Sequence, residues 1–231
     1  MSTEMLRVFS PNTFTCKRRF VIIWTVINMI FKCIQKERLP LSWHEFTENG
    51  NIICTSEIPK AGYGKLFLGA DCFELKIDSV FKPIKIYRNG VEYGTLSPKI
   101  CVTKKVAFLK TGYEYYELSL PFGTFLIYES GLGAGQHYYS IYKDDTVLAV
   151  IHKPDRVVNY LDSYTCYLEN REDFFPTALY CLFLESAAYF NIDATGNVVD
   201  NTSTYTAQQE LREKYDPTFI PRIKQKEGYT E

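Results

Sequence analysis

The sequence predicts a mainly β protein: a closed antiparallel barrel of about twelve strands around an apolar C-terminal helix, with an extra apolar helix or strand at the N-terminus. Three observations lead there. A short helix is apolar on every side, more than a hundred residues of strand and turn signals precede it, and one hairpin pattern recurs within them.

The helix is read over 174–191. Glu172 and Asp173 stand just ahead of Pro176, where the helix dipole favours acid and proline fits the first turn. From Pro176 to Asn191 the only charge is Glu185, so no polar stripe is left for water. Such a helix is buried all round or crosses a membrane. About fifteen residues falls short of the roughly 20 that a span needs, so burial is expected. The core should centre on Leu179, Leu182, Phe183, Ala187 and Phe190.

Ahead of the helix, apolar-aromatic runs are punctuated by Gly, Pro, Asn and Asp. Strands are expected at 51–57, 64–69, 72–79, 83–88, 91–97, 100–109, 113–120, 124–128, 137–143, 146–152, 156–159 and 162–169. Phe73 to Ile77 alternates apolar and polar, the period of two that a sheet with one wet face requires. The repeat aligns Ile84-Lys-Ile-Tyr-Arg-Asn-Gly-Val-Glu-Tyr-Gly-Thr-Leu96 with Tyr139-Ser-Ile-Tyr-Lys-Asp-Asp-Thr-Val-Leu-Ala-Val-Ile151. Asn89-Gly90 is a strong hairpin signal and Asp144-Asp145 a weaker one, because a type I′ turn needs positive φ at both central residues. Phe125-Leu-Ile-Tyr128 is read as the start of a third copy. Hairpins that each expose an apolar face must close on something, and the helix fills that space.

Three segments follow: an N-terminal extension at 1–50, the barrel at 51–203 and a charged tail at 204–231 that docks loosely or not at all. The extension carries the apolar run Phe20 to Phe31 behind Lys17, Arg18 and Arg19. It reads as a helix or long strand packed on the domain, a membrane-contacting helix, or a cleaved signal. Crossing the membrane would send the barrel and its thiols to an oxidising side. The expectation is therefore a cytoplasmic protein, at most peripheral to the membrane, in which residues 20–34 do not cross. Val198-Val199 is a candidate last strand.

Hydrophobic residues make up 46% and charged residues 23% of the chain, enough for a sizeable core. Net charge is −1, so an anionic partner must be met by a local patch, and nucleic acid is not expected as a partner. The seven Cys are odd in number, none is spaced Cys-x-x-Cys, and only three His accompany them. No metal site is expected, and scattered buried thiols suit a reducing compartment.

The order of an Ile-Tyr hairpin, a second hairpin, the strand Asp162-Ser-Tyr-Thr-Cys-Tyr-Leu168, an acidic turn and a long apolar helix resembles the tubby C-terminal-like superfamily. That group includes LURP-one-related proteins, phospholipid scramblases and small bacterial proteins. The bacterial members are most similar, over Tyr138 to Asn191, and the likeness extends over roughly 63–192. It implies a barrel of about twelve strands wrapped round a central helix. Tubby proteins bind phosphoinositide headgroups through Lys and Arg on adjacent strands, and that pair has no counterpart here residue by residue. The Cys-rich segment and terminal span of scramblases are not matched either.

Chemistry is sparsely marked. Gly131-Leu-Gly-Ala-Gly135 lacks the following helix that a dinucleotide loop needs, and no Walker A, Gly-x-Ser-x-Gly or His-Glu-x-x-His run is present. His137 and His152 could face one another across a hairpin as a general base pair. Glu185, alone on the apolar helix, must be paired or hydrogen-bonded, or serve as a functional carboxylate. Lys99, Lys104, Lys105 and Lys110, with Lys17, Arg18 and Arg19, are the candidates for binding lipid headgroups or another anion; edge lysines also guard against aggregation. The expectation is a non-enzymatic binding module with no catalytic residue or cofactor, whose partner is an anionic lipid headgroup or a protein. The alternative is an enzyme or lipid-handling protein with its site at the open end of the barrel, built from Glu185, His137 or His152.

Overall fold

The computed structural model describes residues 28–37, 42–106, 109–133, 135–154, 161–188 and 206–228. Twelve strands follow in order: β1 (Met29–Glu37), β2 (Ser42–Glu48), β3 (Asn51–Lys60), β4 (Tyr63–Leu68), β5 (Asp71–Lys76), β6 (Ile84–Arg88), β7 (Val91–Val106), β8 (Leu109–Leu120), β9 (Gly123–Gly131), β10 (His137–Lys143), β11 (Thr146–Lys153) and β12 (Ser163–Leu168). Each pairs antiparallel with its neighbours in sequence, and β1 closes the ring against β12. The helix α1 (Phe174–Ala188) runs through the middle, led in by a short 3-10 turn at Arg171–Asp173. The expected architecture is the observed one.

Alternation explains the closure. Along β1, Met29, Phe31, Cys33 and Gln35 are buried while Lys32 and Lys36 face out. Equivalent inward rows from the other strands meet α1, whose Leu179, Leu182 and Phe183 are buried with Ala187 packed beside them. Phe190 lies outside the described residues. Aromatic edges fill the gaps: Phe31 meets Phe174 at 4.9 Å between ring centroids, and Tyr116 meets Phe183 at 4.9 Å. Each such side chain contributes about 1.5–3 kcal/mol by leaving water.

The described part of the N-terminal segment is not an extension. Residues 29–48 supply two staves, so the barrel begins at Met29 rather than Asn51. The apolar run hid this because its inward residues are separated by Ile30 and Ile34, which turn outward yet are only partly exposed. Residues 1–27, including Lys17, Arg18, Arg19 and the first part of that run, lie outside the described residues, as do 156–159 and Val198-Val199. The expected strands at 91–97 and 100–109 merge into β7, which is continuous through Pro98 and ends at Val106, while Leu109 belongs to β8.

The repeat is real, and its third copy sits elsewhere than expected. The hairpins β2–β3, β6–β7 and β10–β11 turn on Asn49-Gly50, Asn89-Gly90 and Asp144-Asp145, all at positive φ. Each has a bulge at the same step, after Phe46, Ile86 and Ile141 respectively. The residues passed over by pairing are Ile53, Tyr93 and Leu148, and all three pack against the core. Every fourth position round the ring therefore carries the same device. Phe125-Leu-Ile-Tyr128 belongs to β9 and begins no such hairpin.

The C-terminal tail is also firmer than expected. Helices α2 (Gln209–Arg212) and α3 (Phe219–Lys226) lie on the outside of the barrel. Phe219 and Ile223 are fully buried against Val150 and Tyr167, and Tyr215 stacks on Tyr138 at 4.1 Å. Arg222 and Lys226 reach Glu169 at 3.1 and 2.6 Å. Alternate residues of α3 are apolar and charged at helical spacing, so one face docks while the other stays wet.

Candidate functional site

Inside the barrel, the lone charge of α1 finds its partners on two staves. Tyr164 of β12 donates its hydroxyl to Glu185 Oε1 at 2.6 Å. His44 Nε2 of β2 lies 2.9 Å from Oε2, and His44 Nδ1 is 3.2 Å from Ser56 Oγ on β3. All four residues are buried. In the ion-paired form both ring N–H groups donate, one to the carboxylate and one to the serine. Burial alone pushes the Glu185 carboxyl up, but the His44 charge, the hydrogen bonds from His44 and Tyr164, and Lys153 outweigh it and hold it below the usual carboxylate range. Burial and then the Glu185 charge push the Tyr164 phenol well up.

The network reaches towards one rim. The Lys153 ammonium lies 5.5 Å from the centre of the Tyr164 ring and 3.5 Å from Asp162. Next to it, Gln35 ties the same end together, donating to Ser42 Oγ at 2.7 Å and accepting the Asp162 N–H at 2.9 Å. Deeper in, Cys166 and Cys181 sit with their sulfurs 3.7 Å apart. Burial, then hydrogen bonding to Cys181, raises the Cys33 and Cys166 thiols. Such thiols pack as small hydrophobes. Among the described residues no three His, Cys, Asp or Glu side chains are placed to hold a metal ion.

A carboxylate, an imidazole and a phenol are the parts of acid–base chemistry. Here each is committed to another member of the network. Beside α1 lies a void of about 160 Å³, lined by Leu75, Ile86, Leu96, Leu118, Leu179 and Tyr180. It is apolar and contains none of the network residues.

Glu185 is hydrogen-bonded, as a buried carboxylate must be, but the sequence reading missed its partner His44. The signal for His44 was the alternating Ser42-Trp-His-Glu-Phe46 ahead of Asn49-Gly50, which places His44 and Phe46 on one face of a strand. The two expected histidines do not face one another. His137 is paired with Lys153 and His152 with Tyr138. In an antiparallel ladder, adjacent pairs point to opposite faces. His137 lies 2.7 Å from Glu129 Oε1, and His152 Nε2 donates to the Gly135 carbonyl at 2.9 Å. Neither contacts Glu185.

The basic candidates divide. Lys99 is held by Glu117 at 3.3 Å, which neutralises it. Lys104, Lys105 and Lys110 sit at the tip of the β7–β8 hairpin, where Lys105 and Lys110 are paired across the strands. Beyond Leu96, β7 has left β6, so this hairpin continues as a two-stranded ribbon. Among the described residues no helix is long and apolar enough to cross a membrane. Comparison with protein-family models, curated proteins and solved structures finds no match to this chain.

Proposed function

We propose that the protein is a non-enzymatic binding module of the tubby-like kind, acting at the cytoplasmic face of a membrane through anionic lipid headgroups. The observation that carries this reading is the filled barrel. A small-molecule site ordinarily occupies a cleft of roughly 300–1,000 Å³, whereas the interior here is taken up by α1, and Glu185, His44 and Tyr164 are spent on one another. Binding then belongs to the rims and loops, and Lys60, Lys82, Lys104, Lys105 and Lys110 fall at one of them. The alternative of an enzyme or lipid-handling site at the open end would require Glu185, His137 and His152 to converge on a chamber. Their separate partners favour the binding module.

Flotation of the intact chain with phosphatidylcholine vesicles, with and without phosphatidylserine, tests the proposal at low salt, where a basic patch acts most strongly. Association that needs the anionic lipid and fades with salt is expected. Equal flotation with both vesicles, or none with either, would send the search to a protein partner.

A further inference from the structure

Antiparallel staves place alternate turns at opposite ends of a barrel, and the two ends of this one differ in charge. Where α1 begins, the turns carry Glu48, Asp71, Asp144, Asp145 and Glu172 against Arg88, Lys143 and Arg171. Where α1 ends, three neighbouring connections, β3–β4, β5–β6 and β7–β8, carry Lys60, Lys82, Lys104, Lys105 and Lys110 against Asp78. At the same end Glu74, Glu92 and Glu117 hold Lys76, Lys85 and Lys99.

The basic end also exposes apolar side chains. Phe81, in the β5–β6 connection, is 80% exposed, the highest value among the large hydrophobic residues described. Its loop is built rather than loose. Ile77 N–H donates to the Gly62 carbonyl at 2.7 Å, Phe81 N–H to Ser79 Oγ at 3.2 Å, and Lys82 N–H to the Ser79 carbonyl at 3.3 Å. Val80 packs against the core while its neighbour Phe81 is held out in water beside Lys82. On the adjoining ribbon, Ile100 and Val102 are exposed and share one face.

We propose that this end of the barrel is the surface that docks on an anionic lipid bilayer, with Phe81 entering the headgroup layer, Lys60 and Lys82 lying over the phosphates, and the β7–β8 tip that carries Lys104, Lys105 and Lys110 at the same end. The inference rests on the membrane reading above and names its surface. A projecting ring among lysines on separate loop tips suits a broad, soft, anionic plane, where apolar insertion and charge attraction add. The acidic end does not oppose docking. Staves of six to ten residues span roughly 20–30 Å, about two to three times the Debye length of about 10 Å at 0.1 M salt.

The test compares the intact chain with Phe81→Ser, with Lys60→Ala/Lys82→Ala together, and with Val91→Ser, an exposed apolar residue at the acidic end. All are measured by flotation with phosphatidylcholine–phosphatidylserine vesicles at about 0.1 M salt. Phe81→Ser should weaken binding about tenfold, the lysine pair about twentyfold, and Val91→Ser should leave it unchanged. A Phe81→Trp chain should show a blue-shifted emission with these vesicles and quenching by brominated lipid. If the intact chain binds while Phe81→Ser and the lysine pair bind equally well, or Val91→Ser weakens binding as much, the docking end is wrong and the membrane reading survives. If the intact chain does not bind at all, both fall.

Discussion

Removing the imidazole of His44 should be far more damaging when Glu185 is a carboxylate than when it is an amide. The two groups are 2.9 Å apart with side chains 1% and 4% exposed. At an effective dielectric constant of about 20, opposite charges at that distance attract by roughly 6 kcal/mol. Dehydrating the two ions costs several kcal/mol each, so the pair as a whole contributes little net stability. His44→Ala cancels the attraction and leaves the cost of the buried carboxylate. We expect a loss of about 3–5 kcal/mol. With Glu185→Gln already present no charge is stranded. What remains is a cavity and neutral hydrogen bonds, about 1–3 kcal/mol. The cavity is common to both backgrounds and cancels in the cycle, leaving a coupling of about 2 kcal/mol. Urea unfolding at neutral pH, followed by circular dichroism, reads each corner as a midpoint shift. A His44→Ala cost equal in both backgrounds, within about 0.5 kcal/mol, would refute the argument that His44 balances a buried charge.

Two further outcomes follow from the same core. Glu185 is depressed in the folded state, so its contribution is present above the ordinary carboxylate range and lost as pH falls through the folded value. Asp173 is raised to about 6 by burial and then by Glu172, so it works in the opposite sense and costs stability as pH rises through that value. Stability against pH should therefore lose its limb near pH 6 in Asp173→Asn and its acid limb in Glu185→Gln, and unchanged limbs in equilibrium unfolding would contradict the assignment. Separately, a Cβ on Gly64 would sit 2.3 Å from Ser186 Oγ and 2.8 Å from Leu182 Cδ1. Gly64→Ala should cost about 1–3 kcal/mol, and Ser186→Ala should recover part of it; a melting temperature unmoved by Gly64→Ala would mean the helix is not held that close.

The barrel was legible because its two signals are local. An apolar helix too short for a membrane needs a container, and hairpins with period two and Asn-Gly turns supply one. Staves β1 and β2 were harder to see, since Trp43, Glu45 and Thr47 between the inward residues do not form a clean polar face. The partner of Glu185 was hidden for a different reason. His44 and Glu185 are 141 residues apart, and only closure of the ring through β1 brings β2 beside the end of α1. The docked tail escaped notice because Phe219 and Ile223 are few apolar residues in a charged stretch, and the complementary outward faces of Val150 and Tyr167 lie on strands read as facing one core.

The same long-range contacts answer a question that an apolar helix poses. With no polar stripe, α1 has no hydrophobic reason to prefer one rotation about its axis over another. The container offers little help, because three hairpins of like build recur at every fourth stave. Shape and polarity must choose. Gly64 opens a place on β4 where the backbone can approach Ser186 and Leu182, and Gly62 N–H donates to the Ser186 carbonyl at 3.4 Å. One residue back along the helix, Glu185 meets His44 on β2 and Tyr164 on β12. Turning α1 by one residue, about 100° at 3.6 residues per turn, would strand the carboxylate among the apolar staves that now face Leu179 and Tyr180. A buried ion pair of small net stability can still exclude every wrong rotation by several kcal/mol. On this account Glu185 sets the seat of the helix, and the rim loops, not the interior, are free for binding.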